Sequence, residues 1–131
     1  MTIKVCIPGI SGRMGLEIAK VLLESSNLEL SSGVLRNASE ISKDLSLLEI
    51  SREKLSTDLN KSIESCDVCI DFTKPNYSME ILEACIINNK KLVIGTTGYS
   101  NEQISRIEAA SKSIPILKSS NMSVGINLCL E

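Results

Sequence analysis

Three glycines, Gly9, Gly12 and Gly15, stand three apart directly behind the apolar run Ile3-Lys4-Val5-Cys6-Ile7. A buried-strand pattern, a tight turn and the start of a helical pattern succeed one another within residues 3–15. Glycine has no Cβ, so backbone N–H groups in such a turn can approach a diphosphate closely. The helix start adds N–H donors without intrahelical partners and a partial positive charge, which together favour an anion. The chemistry implied is the binding of a dinucleotide by its phosphates. The spacing G-x-x-G-x-x-G is one residue longer than the usual G-x-G-x-x-G. Glycines also end strands and cap helices, so a purely structural turn is the competing reading of these residues taken alone.

The second chemical position is Leu35-Arg36-Asn37, at the end of an apolar stretch over 28–35. In dinucleotide folds, a carboxylate about 20 residues beyond the glycine turn binds the adenosine ribose hydroxyls of NAD, and an arginine there accommodates the 2′-phosphate of NADP. No acid stands at this tip. Arg36 is either a partner for a 2′-phosphate or an ordinary surface charge, and these residues alone leave both open.

The cysteines are Cys6, Cys66, Cys69, Cys85 and Cys129. An odd number in apolar surroundings points to buried reduced thiols and not to a disulfide framework. Cys66-x-x-Cys69 could hold a metal or a redox pair. The chain has no histidine and no second such pair, so a tetrahedral site lacks ligands and no metal is expected. Cys69 also lies within the strand-like run Val68-Cys69-Ile70.

A net charge of -2 offers no basic footprint for nucleic acid, and Phe72, Tyr77 and Tyr99 are too few for a base-stacking surface. No apolar run approaches the roughly 20 residues that span a bilayer. The short apolar run before Gly9 leads straight into glycines, unlike a secretory signal. A cytoplasmic protein is expected.

These positions require elements to hold them. After Gly15, the residues Ile18, Ala19, Val21, Leu22 and Leu23 share a broad helical face, and Ser25-Ser26-Asn27 ends the helix. With the strand at 28–35 this makes a right-handed βαβ unit. Residues 38–57 show no clean period and predict a loop-rich connection with one short helical turn. Thr57-Asp58 is placed to cap a small helix over 59–64. Strands are expected over 67–72, 91–94 and 114–118, and helices over 77–88 and from an Asn101 cap to about Lys112. The polar and glycine-rich strand ends after Pro8, Leu35, Phe72, Ile94 and Lys118 then cluster along one edge, where an open parallel sheet binds ligands.

Four motifs now stand in order: PGISGRMG at 8–15, IDFTKP at 70–75, VIGTTGY at 93–99 and SSNMSVGIN at 119–127. In this combination the chain resembles the 4-hydroxy-tetrahydrodipicolinate (dihydrodipicolinate) reductases of lysine and diaminopimelate biosynthesis. The motifs cover it from end to end. The resemblance implies an α/β fold, a Rossmann-type open parallel sheet flanked by helices on both faces, in an NAD(P)H-dependent oxidoreductase. It implies that Gly9, Ile10, Ser11, Gly12, Arg13 and Met14 hold the diphosphate. Phe72, Thr73, Gly95, Thr96 and Thr97 would line the nicotinamide side, with Thr97 and Gly98 approaching substrate. Ser119, Ser120, Asn121 and Met122 would complete the pocket.

Two departures from the family pattern matter. Members that use both cofactors commonly carry an acid and then an arginine at the second strand's end. Here Leu35 takes the acid's place and Arg36 keeps the arginine, so Arg36 joins the cofactor residues and NADPH is expected over NADH. Members also carry a second domain with a histidine-rich catalytic segment and a lysine, and this chain has no histidine. The expectation is a dinucleotide-binding domain at 1–122, with 123–131 starting the crossing into a C-terminal domain. No catalytic residue would lie in this chain, which would be inactive alone. The cyclic dicarboxylate substrate and the family's homotetramer would both require that other domain. Val124, Ile126, Leu128 and Leu130 would be left uncovered, giving a disordered tail or one packed on a neighbour. The rival readings are a non-catalytic NAD(P)-binding module and a different dehydrogenase sharing only the cofactor fold.

Overall fold

The computed structural model describes residues 2–118. The expectations for Ser119, Ser120, Asn121 and Met122, for a boundary at 122 and for the apolar tail lie outside the described residues.

Strand β1 (Ile3–Pro8) is the apolar run ahead of the glycines. Its side chains alternate between two cores, Val5 and Ile7 facing one and Cys6 the other, as a strand's period of two requires. From β1 the chain builds outward to β2 (Leu28–Val34) and β3 (Leu55–Ser56). It then returns to the other side of β1 for β4 (Val68–Asp71), β5 (Lys91–Ile94) and β6 (Ile116–Lys118), giving the order β3-β2-β1-β4-β5-β6. Every pairing is parallel. The reversal between β1 and β4 opens a crevice beyond their carboxyl ends.

Helices cover both faces. Helix α1 (Arg13–Glu24) sets Ile18, Ala19 and Leu22 against Val5, Ile7, Leu28 and Leu30, joined by Leu45 of the short α2 (Lys43–Leu47). On the opposite face, α3 (Leu59–Glu64), α4 (Pro75–Asn88) and α5 (Asn101–Ala110) bury Ile63, Ile81, Leu82, Cys85 and Ile107 against Cys6, Cys69, Leu92 and Ile94. Cys6, Cys66, Cys69 and Cys85 are free and buried, and among the described residues no cluster of ligating side chains could hold a metal. No helix of the described residues is long and apolar enough to cross a membrane.

Several local expectations are corrected. The buried face of α1 is narrower than the apolar pattern suggests, since Val21 and Leu23 are 38% and 49% exposed. Residues 38–57 contain α2, two single 3₁₀ turns (Ala38–Glu40 and Arg52–Lys54) and the edge strand β3. A two-residue strand is too short to show a period. Helix α4 starts at Pro75, because proline's fixed φ and missing N–H suit a first helical position. Ser100 and not Asn101 caps α5. Its hydroxyl accepts the Gln103 N–H (3.1 Å) while the Gln103 side chain accepts the Ser100 N–H (2.8 Å), a reciprocal capping box.

Candidate functional site

The glycine turn begins with Gly9 at φ +69°, a left-handed conformation that favours glycine. A Cβ there would also meet Thr73 Cγ2 at 2.9 Å, so the turns after β1 and β4 lie against each other. The turn is tied down by the Gly9 and Ile10 N–H groups donating to the Val34 carbonyl and by the Gly12 N–H donating to Gly9 (2.9 Å). Gly12 is the N-cap of α1 and offers no side-chain cap, and the first helical turn has no acid. The leading N–H groups of α1 and the positive end of its dipole therefore face the crevice with no acid of their own first turn to compete. Gly15 is buried against this turn, where a Cβ would stand 2.8 Å from Ile10 Cα and overlap the Gly9 carbonyl oxygen.

A cleft of about 460 Å³ opens at this point, and Gly9, Ser11, Gly12, Arg13 and Met14 line one side of it. Phe72 and Thr73 line the side after β4, joined by Lys74 and Tyr77, which sequence reasoning did not place there. Ile10 lies apart from its neighbours. Its side chain is fully buried against Gly33 and its N–H is spent on Val34, so it holds the turn without lining the cleft. Gly95 sits beneath the Phe72 ring, which occupies the space of any side chain at 95. Thr96 is buried behind it and Thr97 is exposed.

At the tip of β2 the structure puts Arg36 on the cleft wall. It also corrects the view that this tip has no acid. Asn37 Oδ1 accepts the Ser39 N–H (3.0 Å) and starts the 3₁₀ turn Ala38–Glu40. That turn folds Glu40 back until its carboxylate accepts the Arg36 N–H, and Glu40 lines the same cleft. The available signal was the Asn-x-Ser start of a turn followed by an acid.

Behind Phe72 and Thr73 lies a buried polar network that the sequence does not announce. Asp71, fully buried at the end of β4, accepts on Oδ1 from the Thr73 N–H (2.9 Å), the Thr73 hydroxyl (2.6 Å) and the Thr96 hydroxyl (3.2 Å). Ser78 donates to the Thr96 oxygen (3.3 Å), and Tyr99 donates to Ser78 (3.0 Å). Asp71 Oδ2 is enclosed and has no hydrogen-bond partner among the described residues. Partial burial, with the Glu80 carboxylate as a smaller contribution, pushes the Tyr77 phenol up to about 12. It stays a neutral hydrogen-bond donor at the cleft wall.

Fold and cleft can be set beside known proteins. A family model described as "Dihydrodipicolinate reductase, N-terminus" matches residues 3–122. The chain is 38% identical over 133 residues to the 4-hydroxy-tetrahydrodipicolinate reductase of Geotalea daltonii, covering 98% of this chain and 50% of that protein. It superposes on the dipicolinate-bound dihydrodipicolinate reductase of Paenisporosarcina sp. TG-14 with a TM-score of 0.76 and 26% identity, covering 98% of this chain and 51% of the other. The Lactobacillus casei scyllo-inositol dehydrogenase with bound NAD(H) and scyllo-inositol shares the fold alone, with a TM-score of 0.73 and 16% identity over 91% of this chain and 36% of that one. The chain spans about half the length of the curated relatives it matches.

Proposed function

The chain belongs to the dihydrodipicolinate reductase family, and on that premise we propose that its cleft binds the nicotinamide dinucleotide for reduction of 4-hydroxy-tetrahydrodipicolinate to tetrahydrodipicolinate. The observation that carries this reading is the uncapped, acid-free N-terminus of α1 opening onto the cleft behind a left-handed Gly9. A phosphate there meets unpaired N–H donors and the positive helix end at once.

In this reading residues 1–122 are the dinucleotide domain. Ser11, Gly12, Arg13 and Met14 hold the diphosphate, and Arg36 faces the adenosine ribose. Phe72 and Thr73 bound the nicotinamide side, with Gly95 and Thr96 behind them and Thr97 toward the open edge. A bound reduced nicotinamide supplies the hydride that such a reduction consumes. The protein's part is orientation. Asp71 fixes Thr73 and Thr96 relative to each other, and Phe72 is wedged over Gly95, so the wall is set before a ligand arrives.

Substrate turnover requires more than this cleft. A dicarboxylate needs positioned cations, and reduction needs a proton donor near the acceptor atom. With no histidine in its 131 residues, the chain binds cofactor but does not turn over alone. Loss of a general acid costs about 10²–10⁴-fold, and lost substrate orientation removes more. The family's homotetramer is expected to require the family's second domain, as substrate binding does. NADPH is the tighter ligand because a charge-assisted bond from Arg36 to its 2′-phosphate is worth about 1.5–3 kcal/mol.

The test is calorimetric titration of the chain with NADPH and NADH, alongside Arg36→Ala, with NADPH absorbance followed in the presence of fresh substrate. Binding without turnover, and a selective loss of NADPH affinity in Arg36→Ala, are expected. Failure to bind either cofactor defeats the reading of the cleft, and turnover by the chain alone defeats the division of labour.

A further inference from the structure

We infer that Tyr99 is a positioning residue for the nicotinamide half of the site, its hydroxyl holding the loop 95–99 in place through Ser78 and Thr96. The inference rests on the dinucleotide reading of the cleft given above. The loop leaves β5 with little backbone support. At its start the Gly95 N–H donates to the Asp71 carbonyl (2.8 Å), and past its end the Ser100 N–H is taken by the Gln103 side chain (2.8 Å). Between these points, among the described residues, positions 96–99 make no backbone–backbone hydrogen bond. An added Cβ at Gly98 would meet nothing within 4 Å, so packing does not hold the tip either.

Side-chain hydroxyls supply the anchors. Tyr99 donates to Ser78 (3.0 Å), Ser78 to Thr96 (3.3 Å) and Thr96 to Asp71 Oδ1 (3.2 Å). Each hydroxyl has one proton to give, so the chain runs one way, from a half-buried phenol to a fully buried carboxylate. Thr96 and Tyr99 are thereby tied to the same residue of α4, and the exposed Thr97 and Gly98 are bridged between them. The Tyr99 ring is held as well, packed on the core beneath α4 and α5 with Lys118 Nζ 5.5 Å from its centroid. Gly95 lies under Phe72, and Thr96 shares Asp71 with Thr73, so the clamped loop is the one that adjoins the cleft wall after β4. The residues proposed for the diphosphate and the ribose, on α1 and at the tip of β2, take no part in these bonds.

Tyr99→Phe removes the donor and keeps the ring, and Ser78→Ala breaks the same clamp from α4. Each variant is titrated calorimetrically with NADPH and with ADP-ribose 2′-phosphate, which carries the same phosphates without the nicotinamide. Thermal unfolding confirms that each variant is folded, and should Ser78→Ala unfold, Tyr99→Phe decides alone. NADPH affinity is expected to fall about three- to tenfold in either variant, while ADP-ribose 2′-phosphate binds as it does to the unmodified chain. The double variant should lose no more than the weaker-binding single one, because both changes break one clamp. A purely structural role weakens both ligands equally, and that result, like unchanged NADPH affinity, overturns the inference. If the unmodified chain binds both ligands equally well, the inference falls and the phosphate site stands. If it binds neither, the reading of the cleft fails and takes this inference with it.

Discussion

Asp71 Oδ1 gathers three donors, two from Thr73 and one from Thr96, so one carboxylate ties the turn after β4 to the loop after β5. A buried donor left without its acceptor costs about 1–3 kcal/mol. Asp71→Ala strands the Thr73 N–H beside the cleft and removes the shared partner of both threonines. The expected outcome is a fall in unfolding free energy of about 2 kcal/mol or more, measured by denaturant titration, with weaker cofactor binding. Asp71→Asn retains an oxygen acceptor and should lose less. Equal stability of the Ala variant and the unmodified chain would show that the network carries no weight. The neighbouring Tyr99 and Ser78 continue the same chain of bonds, which explains why a tyrosine beyond the second glycine motif is half-buried.

Among the elements, α1 bears the tightest constraint, because its first turn must sit directly on the glycine turn. Alanine favours a helix interior over glycine by about 1 kcal/mol, so Gly15→Ala would be stabilising if propensity decided. It does not decide here, since the added Cβ overlaps the Gly9 carbonyl and crowds Ile10 Cα at 2.8 Å. Overpacking against backbone costs about 1–3 kcal/mol, and relief requires α1 to shift away from the turn that aims its N–H groups. Gly15→Ala is expected to lower the thermal midpoint and to weaken both cofactors alike. A raised midpoint with unaltered binding would mean that the turn tolerates the helix displacement.

At the scale of the molecule, two cores on opposite faces of one sheet make unfolding of either the unfolding of both. Cys6, Cys69 and Cys85 sit in one of these cores with Cys66. Burial, with contributions from Cys6 and Cys85, pushes the Cys69 thiol well above its ordinary value. All four are buried, and a reagent must reach a thiol to label it, so these four should be silent in the native state. In a Cys129→Ser chain, labelling by a thiol reagent is expected to follow global unfolding with increasing denaturant. Rapid labelling of any of the four under native conditions would reveal local opening of the core that this packing does not support.

What the sequence determined by itself is the family and most of the elements, the edge strand β3 and the 3₁₀ turns within 38–57 excepted. The glycine turn, the strand at 67–72 and the Asp58 cap follow from local rules, because strand period, glycine spacing and capping act within a few residues. The four motifs brought the family into view on the same local footing. Tertiary structure alone decided where those pieces meet. The β1–β4 reversal sets the turns after β1, β2 and β4 around one cleft, and no local pattern encodes strand order. Asp71 reads as part of an apolar strand until β5 arrives beside it with Thr96. Glu40 reads as one polar residue in an unpatterned stretch until the Asn37 turn folds it onto Arg36. In each case the decisive partner is either far away in sequence or reached through a backbone reversal, and residue spacing carries no record of that approach.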